Sequence, residues 1–243
     1  MYIPREIESV LQAYRRQFKV TLVTGARQVG KTTMLRHVMP EVEYTTLDDP
    51  RELSLATHDE ALFFRGHGLP LVVDEVQRVP GLFRYVKCLV DQTPDKGQVV
   101  LTGSQTYHLM QGVSESLAGR VGILELSSLS LREILGIAAR GKYLPGKPHD
   151  AAAETVDVWQ CMWRGTMPEL QDPDLDWHAF YSAYERSYLE RDVRALLSVR
   201  DEERFFRFMI ACAARTGQLL NASNMAADVG VDVKTIQSWV SVL

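Results

Sequence analysis

Along the first half of the chain, apolar and β-branched residues gather in short unbroken runs. Lys-Val-Thr-Leu-Val-Thr at 19–24 stops at Gly25, the pattern of a buried strand. The same signal returns at 43–47, 69–74, 98–102 and 122–126. A helix is predicted from Lys31 to about Met39, where Pro40 ends it. Runs that do not alternate with polar residues belong to strands covered on both faces. Separated by helix-length segments, they predict an α/β fold with a parallel sheet between helices.

Beyond Leu126 the strand signal fades and the pattern becomes helical. Prolines and glycines at 141–153 mark a loop or hinge. Tyr181, Tyr184, Tyr188 and Leu196 fall near helical spacing, with Glu185, Arg186, Glu190 and Arg191 between them. That stripe reads as core packing. From Asn224 to Trp239 the small Ala226, the turn residue Gly230 and the apolar Val229, Val231, Ile236 and Trp239 fit a helix-turn-helix. The domains expected are an α/β core at 1–135, a helical lid or connector at 136–204 and a partial helix-turn-helix at 205–243.

Composition narrows this little. Among 243 residues, 46% are hydrophobic and 24% charged, which suits a soluble globular chain and excludes wholesale disorder. Lys and Arg number 27 against 31 Asp and Glu, a formal charge of −4, so general attraction to nucleic acid is not a property of the whole chain. The start, Met1-Tyr-Ile-Pro-Arg-Glu, is charged where a signal peptide would be apolar, and no stretch is apolar enough to span a bilayer; the chain reads as cytoplasmic, with no membrane partner. Cys88, Cys161 and Cys212 are odd in number and far apart, and read as buried free thiols.

The chemistry sits at the strand ends. Gly25-Ala-Arg-Gln-Val-Gly30-Lys31-Thr32 fits G-x-x-x-x-G-K-[ST] between a predicted strand and a predicted helix. Such a loop cradles phosphates through backbone N–H groups and the positive end of the helix. The nucleotide-binding set is Gly25, Ala26, Arg27, Gln28, Val29, Gly30, Lys31, Thr32 and Thr33. Lys31 reaches the β and γ phosphates, and the Thr32 hydroxyl ligates Mg²⁺.

Leu71-Val72-Val73-Asp74-Glu75 carries two acids to the same edge of the sheet. Asp74 is placed to hold Mg²⁺ through water and Glu75 to polarise an attacking water; the alternative is a solvated pair capping the next helix. Ser104, with Gln105, ends the next strand as a polar sensor of the γ-phosphate or as a simple turn. Arg120 either stabilises charge on the transferring phosphoryl group, in its own chain or a neighbour's, or forms a salt bridge. No Asn-Lys-x-Asp or Thr-Lys-x-Asp is present to read guanine, which favours ATP over GTP only by absence.

With these residues in view, the chain resembles a bacterial and archaeal group of AAA-type ATPases that join a P-loop core to a winged helix and a C-terminal nuclease-like domain. The resemblance rests on Tyr2-Ile-Pro-Arg5, 25–33, Leu47-Asp-Asp-Pro50, Asp74-Glu-Val-Gln-Arg-Val-Pro80, Leu101-Thr-Gly-Ser-Gln105 and Val113-Ser-Glu-Ser-Leu-Ala-Gly-Arg120. Glu125-Leu-Ser-Ser-Leu-Ser130, Gly165-Thr-Met-Pro-Glu169 and Tyr188-Leu-Glu-Arg-Asp192 extend it. It implies a Mg²⁺-dependent ATPase whose sheet inserts the Ser104 strand between the P-loop strand and the acidic strand. Two departures stand out: Ser128 replaces a usual proline, and Arg164-Gly165-Thr166 a usual Gly-Gly-aromatic sequence; neither is expected to touch the nucleotide site. The family pattern continues past Leu243, so the sequence reads as truncated, with Trp239, Val240 and Leu243 left exposed on an unfinished helix.

The functional expectation is an ATP-driven switch that hydrolyses ATP, with an ATP-sensing regulatory or DNA-binding module of little turnover as the alternative. For DNA, the would-be recognition helix offers Lys234, Thr235, Gln237 and Ser238, flanked unfavourably by Asp228 and Asp232. Homo-oligomerisation is a further expectation, tied to Arg120 acting in a neighbouring chain.

Overall fold

The structure is a computed structural model that describes residues 2–104, 113, 116–137, 157–188 and 202–242. It divides into two compact units, Met1–Leu175 and Asp176–Leu243. The connector expected at 136–204 is therefore shared between them.

In the first unit the order is α1 (Glu8–Gln17), β1 (Val20–Thr24), α2 (Lys31–Val38), β2 (Glu43–Thr46), α3 (Pro50–His58), α4 (Glu60–His67) and β3 (Leu71–Asp74). Then come α5 (Leu82–Asp91), β4 (Val99–Thr102), β5 (Val121–Glu125), the short α6 (Leu131–Ile134) and α7 (Val158–Arg164). The strands form a parallel sheet in the order β2-β3-β4-β1-β5. The strand that ends near Ser104 thus lies between the P-loop strand and the acidic strand.

Alternation of side chains across each strand sorts the core into two layers. Val20, Leu22, Leu71, Val73, Val99 and Leu101 face one side and pack with Phe63, Phe64, Leu82, Phe83, Val86 and Val90 of α4 and α5. Val23, Val72, Val100 and Leu124 face the other, against Leu11 of α1 and Met34 and Leu35 of α2. The central strands β1, β3 and β4 are buried throughout, which explains their apolar runs, whereas the edge strands β2 and β5 have exposed positions and are not covered on both faces as expected.

In the second unit, α8 (Trp177–Tyr188) precedes α9 (Glu202–Ala214), α10 (Ala222–Val229) and α11 (Val233–Val242). Gly230 ends α10 in the left-handed conformation, and Asp232 caps α11 by accepting from the Thr235 N–H at 2.8 Å. Phe205 and Phe208 of α9, Met225 and Val229 of α10, and Ile236 and Trp239 of α11 form one buried cluster.

Three expectations need correction. Trp239 is not exposed: it is 7% accessible, with ring centroids 5.2 and 5.4 Å from Phe205 and Phe208, because α9 covers the face that would otherwise be bare. Val240 is partly buried in the same cluster. The cysteines are free, but Cys88 is exposed and Cys161 and Cys212 only half-buried; α5 turns Leu82, Phe83, Val86 and Val90 inward, which puts Cys88 on its outer side. In α8 the deeply buried ring is Phe180, with Tyr181 and Tyr184 half-buried beside it. The stretch 141–153, Glu190, Arg191, Leu196 and Leu243 lie outside the described residues.

The edge strand β2 is tied down by a histidine between two carboxylates: His67 of α4 meets Glu43 of β2 at 2.6 Å and Glu52 of α3 at 2.8 Å. Burial works to lower the His67 pKa, but the two carboxylates overcome it and hold the pKa above the usual histidine value. The folded state thus binds the proton more tightly than the unfolded chain. Its contribution is fully present below the unfolded pKa of about 6.5 and is lost as pH rises through the higher folded value. The melting temperature of the wild type is expected to drop across neutral pH by more than that of His67→Gln, as scanning calorimetry at a series of pH values would show.

Candidate nucleotide site

Gly25 leaves β1 at φ +143°, and a Cβ there would come within 2.1 Å of the Leu126 carbonyl oxygen, so only glycine lets the chain turn under the strap that follows β5. Gln28 is left-handed at φ 59°, and Gly30 at φ 90° caps α2. No side chain caps that helix, which leaves its first N–H groups open to an anion. Ala26 and Gln28 are exposed, Arg27 half-buried, Val29 buried and Thr33 exposed at the rim. Lys31, the first residue of α2, is 7% accessible and donates to the carbonyls of Gly25 at 2.8 Å and Ala26 at 2.7 Å. Its ammonium is therefore held inside the loop, where phosphate oxygens can replace the carbonyls.

Asp74 ends β3 with its carboxylate held at both oxygens. Thr32 Oγ1 donates to Oδ2 at 2.8 Å, the Tyr44 hydroxyl donates to the same oxygen, and the Glu75 N–H donates to Oδ1 at 3.0 Å. A hydroxyl and a carboxylate so close together are hard oxygen donors of the kind Mg²⁺ takes, so the residues present fit that ion.

Glu75 follows in the left-handed region, at φ 57° and ψ 39°, a conformation costing a non-glycine residue about 1–2 kcal/mol. The bend carries its carboxylate off the line of the strand, and Gln77 Nε2 donates to Oε2. Burial and the neighbouring charge of Asp74 push its carboxyl above the ordinary range, against the pull of Gln77, Arg27 and Lys31.

Ser104 lies past the end of β4. Its Oγ is shut off from solvent and has no hydrogen-bond partner among the described residues. Gln105, Ser114 and Glu115 lie outside those residues. The structure does not bring Arg120 to this site. Its carbonyl accepts from Val20 N at the amino end of β1, whereas the P-loop leaves the carboxyl end. Five strand residues at about 3.3 Å each put roughly 15 Å between the two ends. Arg120 instead pairs with Asp91 at the end of α5, Nε and Nη2 donating at 2.6 and 2.9 Å. The salt-bridge reading describes it within its own chain.

Arg5 is the residue whose role the sequence concealed. It is 7% accessible; Nη1 donates to the Val29 carbonyl at 2.7 Å and Nη2 to the Ser127 carbonyl at 2.7 Å, with Nε 3.1 Å from Glu133 Oε1. One planar cation thus joins the P-loop to the strap after β5 and to α6. Glu133, itself buried, also accepts from the Glu6 N–H at 2.7 Å and closes a capping box with Ser130. The two departures from the family pattern meet behind the loop: Ser128 Oγ and Thr166 Oγ1 are hydrogen-bonded at 2.8 Å. Two residues on, Pro168 Cγ would lie 3.6 Å from a Cβ on Gly30, so the 166–168 segment backs the P-loop rather than standing apart from it. Tyr44 and Gln77 were likewise missed. Arg5 and Gln77 each carried a signal, as parts of motifs that the resemblance marked without explaining, whereas Tyr44 carried none.

Residues 17–135 match the family described as "AAA domain", and residues 155–243 match a "Domain of unknown function". Two curated relatives, uncharacterized proteins of Mycobacterium tuberculosis and Mycobacterium bovis, are each 31% identical over 229 residues. That alignment takes in 92% of this chain and 47% of theirs, so the chain spans about half the length of the curated relatives it matches. Among solved structures, a Walker-type ATPase of Pyrococcus abyssi aligns with 98% of this chain and 96% of its own at a TM-score of 0.53 and 14% identity, a likeness of fold.

Replacing Arg5 by Ala would leave Glu133 charged and buried without its cation, a loss expected to cost about 3–5 kcal/mol in urea unfolding. The pair Arg5→Met with Glu133→Leu should regain part of that stability, short of the capping box and the Glu6 N–H bond lost with Glu133, while still lacking the strut to Val29, and so should bind nucleotide more weakly than wild type. Residues 17–135 thus match an AAA domain in sequence and carry a parallel sheet with a P-loop after β1.

Proposed function

We propose that the chain binds ATP with Mg²⁺ at 25–33 and 74–75 and hydrolyses it as an ATP-driven switch. The observation that carries this is the meeting of Thr32 and Asp74 at 2.8 Å beside an uncapped helix N-terminus and a buried lysine. Lys31 would exchange the carbonyls of Gly25 and Ala26 for the β and γ phosphate oxygens. Thr32 and Asp74 would hold the metal, which neutralises charge on those oxygens. Glu75 would orient and deprotonate the attacking water, and the Ser104 hydroxyl, which has no partner among the described residues, would meet the γ-phosphate or that water. Arg120 could act only on a neighbouring chain's site, and would first have to leave Asp91.

A second reading is supported by the bond from Gln77 to Glu75: with Oε2 engaged, the chain would bind ATP and turn it over slowly, as a sensor. DNA contact would fall to the exposed Lys234, Gln237 and Ser238 of α11. Against it, Thr235 spends both its N–H and its hydroxyl on Asp232, which lowers the Asp232 pKa and keeps a negative charge at the end of the helix where a phosphate would dock.

Turnover and binding of ATP with Mg²⁺ separate these readings. Glu75→Gln is expected to keep ATP affinity and lose about 10²–10⁴-fold in turnover, the usual contribution of a general base. Lys31→Ala should lose both. Wild-type binding without turnover, unchanged in Glu75→Gln, would favour the sensor.

A further inference from the structure

Tyr44 belongs to none of the motifs, yet it is joined to the proposed metal site. It lies on the edge strand β2, where Tyr44 pairs in register with Val72 and Thr46 with Asp74. Alternation puts Tyr44 on the same face of the sheet as Val72 and Asp74. From there its hydroxyl donates to Asp74 Oδ2, the oxygen that also accepts from Thr32. The ring is fixed from the other side by the Arg36 guanidinium, 4.1 Å from its centroid. Arg36 stands one helical turn after Thr32 on α2, so a single helix supplies the Thr32 hydroxyl and steadies the tyrosine.

We propose that Tyr44 is a positioning residue for the divalent cation, holding the Asp74 carboxylate in the orientation that receives Mg²⁺. This rests on the reading of Thr32 and Asp74 as the metal-holding pair. Two donors share one carboxylate oxygen, and they differ in what the metal asks of them. The Thr32 hydroxyl must turn its lone pair to the cation and give up its bond to Asp74. Without Tyr44, Asp74 would then retain, among the described residues, the Glu75 N–H on its other oxygen alone and be free to rotate. With Tyr44, Oδ2 would stay hydrogen-bonded and oriented, and Asp74 would be held ready to receive the metal or its water. Partners that orient a ligand from behind typically account for about 10–100-fold in metal affinity or activity.

The test is the binding of a fluorescent ATP analogue to the whole chain, first in EDTA and then across a Mg²⁺ series, for wild type, Tyr44→Phe and Asp74→Asn. Tyr44→Phe keeps the ring over which Arg36 stacks and removes only the hydroxyl, and its melting temperature in EDTA should stay near that of wild type. The proposal expects equal affinity in EDTA for wild type and Tyr44→Phe, with the half-saturating Mg²⁺ raised about ten-fold in the variant. A Mg²⁺ response identical to wild type in Tyr44→Phe, with the response lost in Asp74→Asn, overturns the role of Tyr44 and leaves the metal site standing. Weakened binding already in EDTA also overturns it, since the tyrosine would then act on the fold. A wild type whose affinity ignores Mg²⁺ overturns the metal-site reading itself, and this proposal with it.

Discussion

The site is set by the position of one strand. Because β4 lies between β1 and β3, the P-loop and the acidic strand end are held two strand spacings apart, roughly 10 Å. That gap is wide enough for phosphates and closed enough for side chains to span: Thr32 at the start of α2 reaches Asp74 at 2.8 Å. Ser104 stands at the carboxyl end of the intervening strand, which accounts for a small polar residue there. The backbone ladder sets this spacing, and the two apolar layers hold the sheet between its helices, with the same inward pattern repeated on β1, β3 and β4.

Precision at the loop comes from behind it. Gly25 passes under the Leu126 carbonyl, Arg5 ties Val29 to Ser127 and Glu133, and Pro168 stands behind Gly30. These supports come from the two ends of the first unit, residues 5 and 168, around a loop at 25–33. Glycines give the loop conformational freedom, and a buried cation with a few backbone carbonyls takes that freedom away again. The exchange suits a site that must present N–H groups in one arrangement.

Much of this was legible because it is local. An apolar run followed by a glycine loop and a helix names its own geometry, and strands buried on both faces announce themselves by lacking polar positions. Asp74 and Glu75 were readable for the same reason, being adjacent to the strand that carries them. What stayed hidden is long-range. Nothing in Glu43-Tyr-Thr-Thr46 says that the tyrosine reaches Asp74, and nothing near Arg5 says that its carboxylate is Glu133. Of the two readings of Arg120, its place just before β5 of a parallel sheet already favoured the salt bridge, since that is the amino edge, away from the P-loop; what stayed hidden is that its partner is Asp91. Trp239 misled because a helix read alone looks bare, whereas Phe205 and Phe208 of α9 complete its core.

The central claim is that Lys31, Thr32 and Asp74 form one site for a nucleotide triphosphate and its cation. A crystal structure of the chain with Mg²⁺ and a non-hydrolysable ATP analogue tests it most directly. The account requires the triphosphate at the start of α2, with Lys31 Nζ moved from the Gly25 and Ala26 carbonyls to the β and γ phosphates and Thr32 Oγ1 turned from Asp74 to the metal. An analogue bound elsewhere, or one bound in the loop while Lys31 and Thr32 keep their present partners, would contradict it.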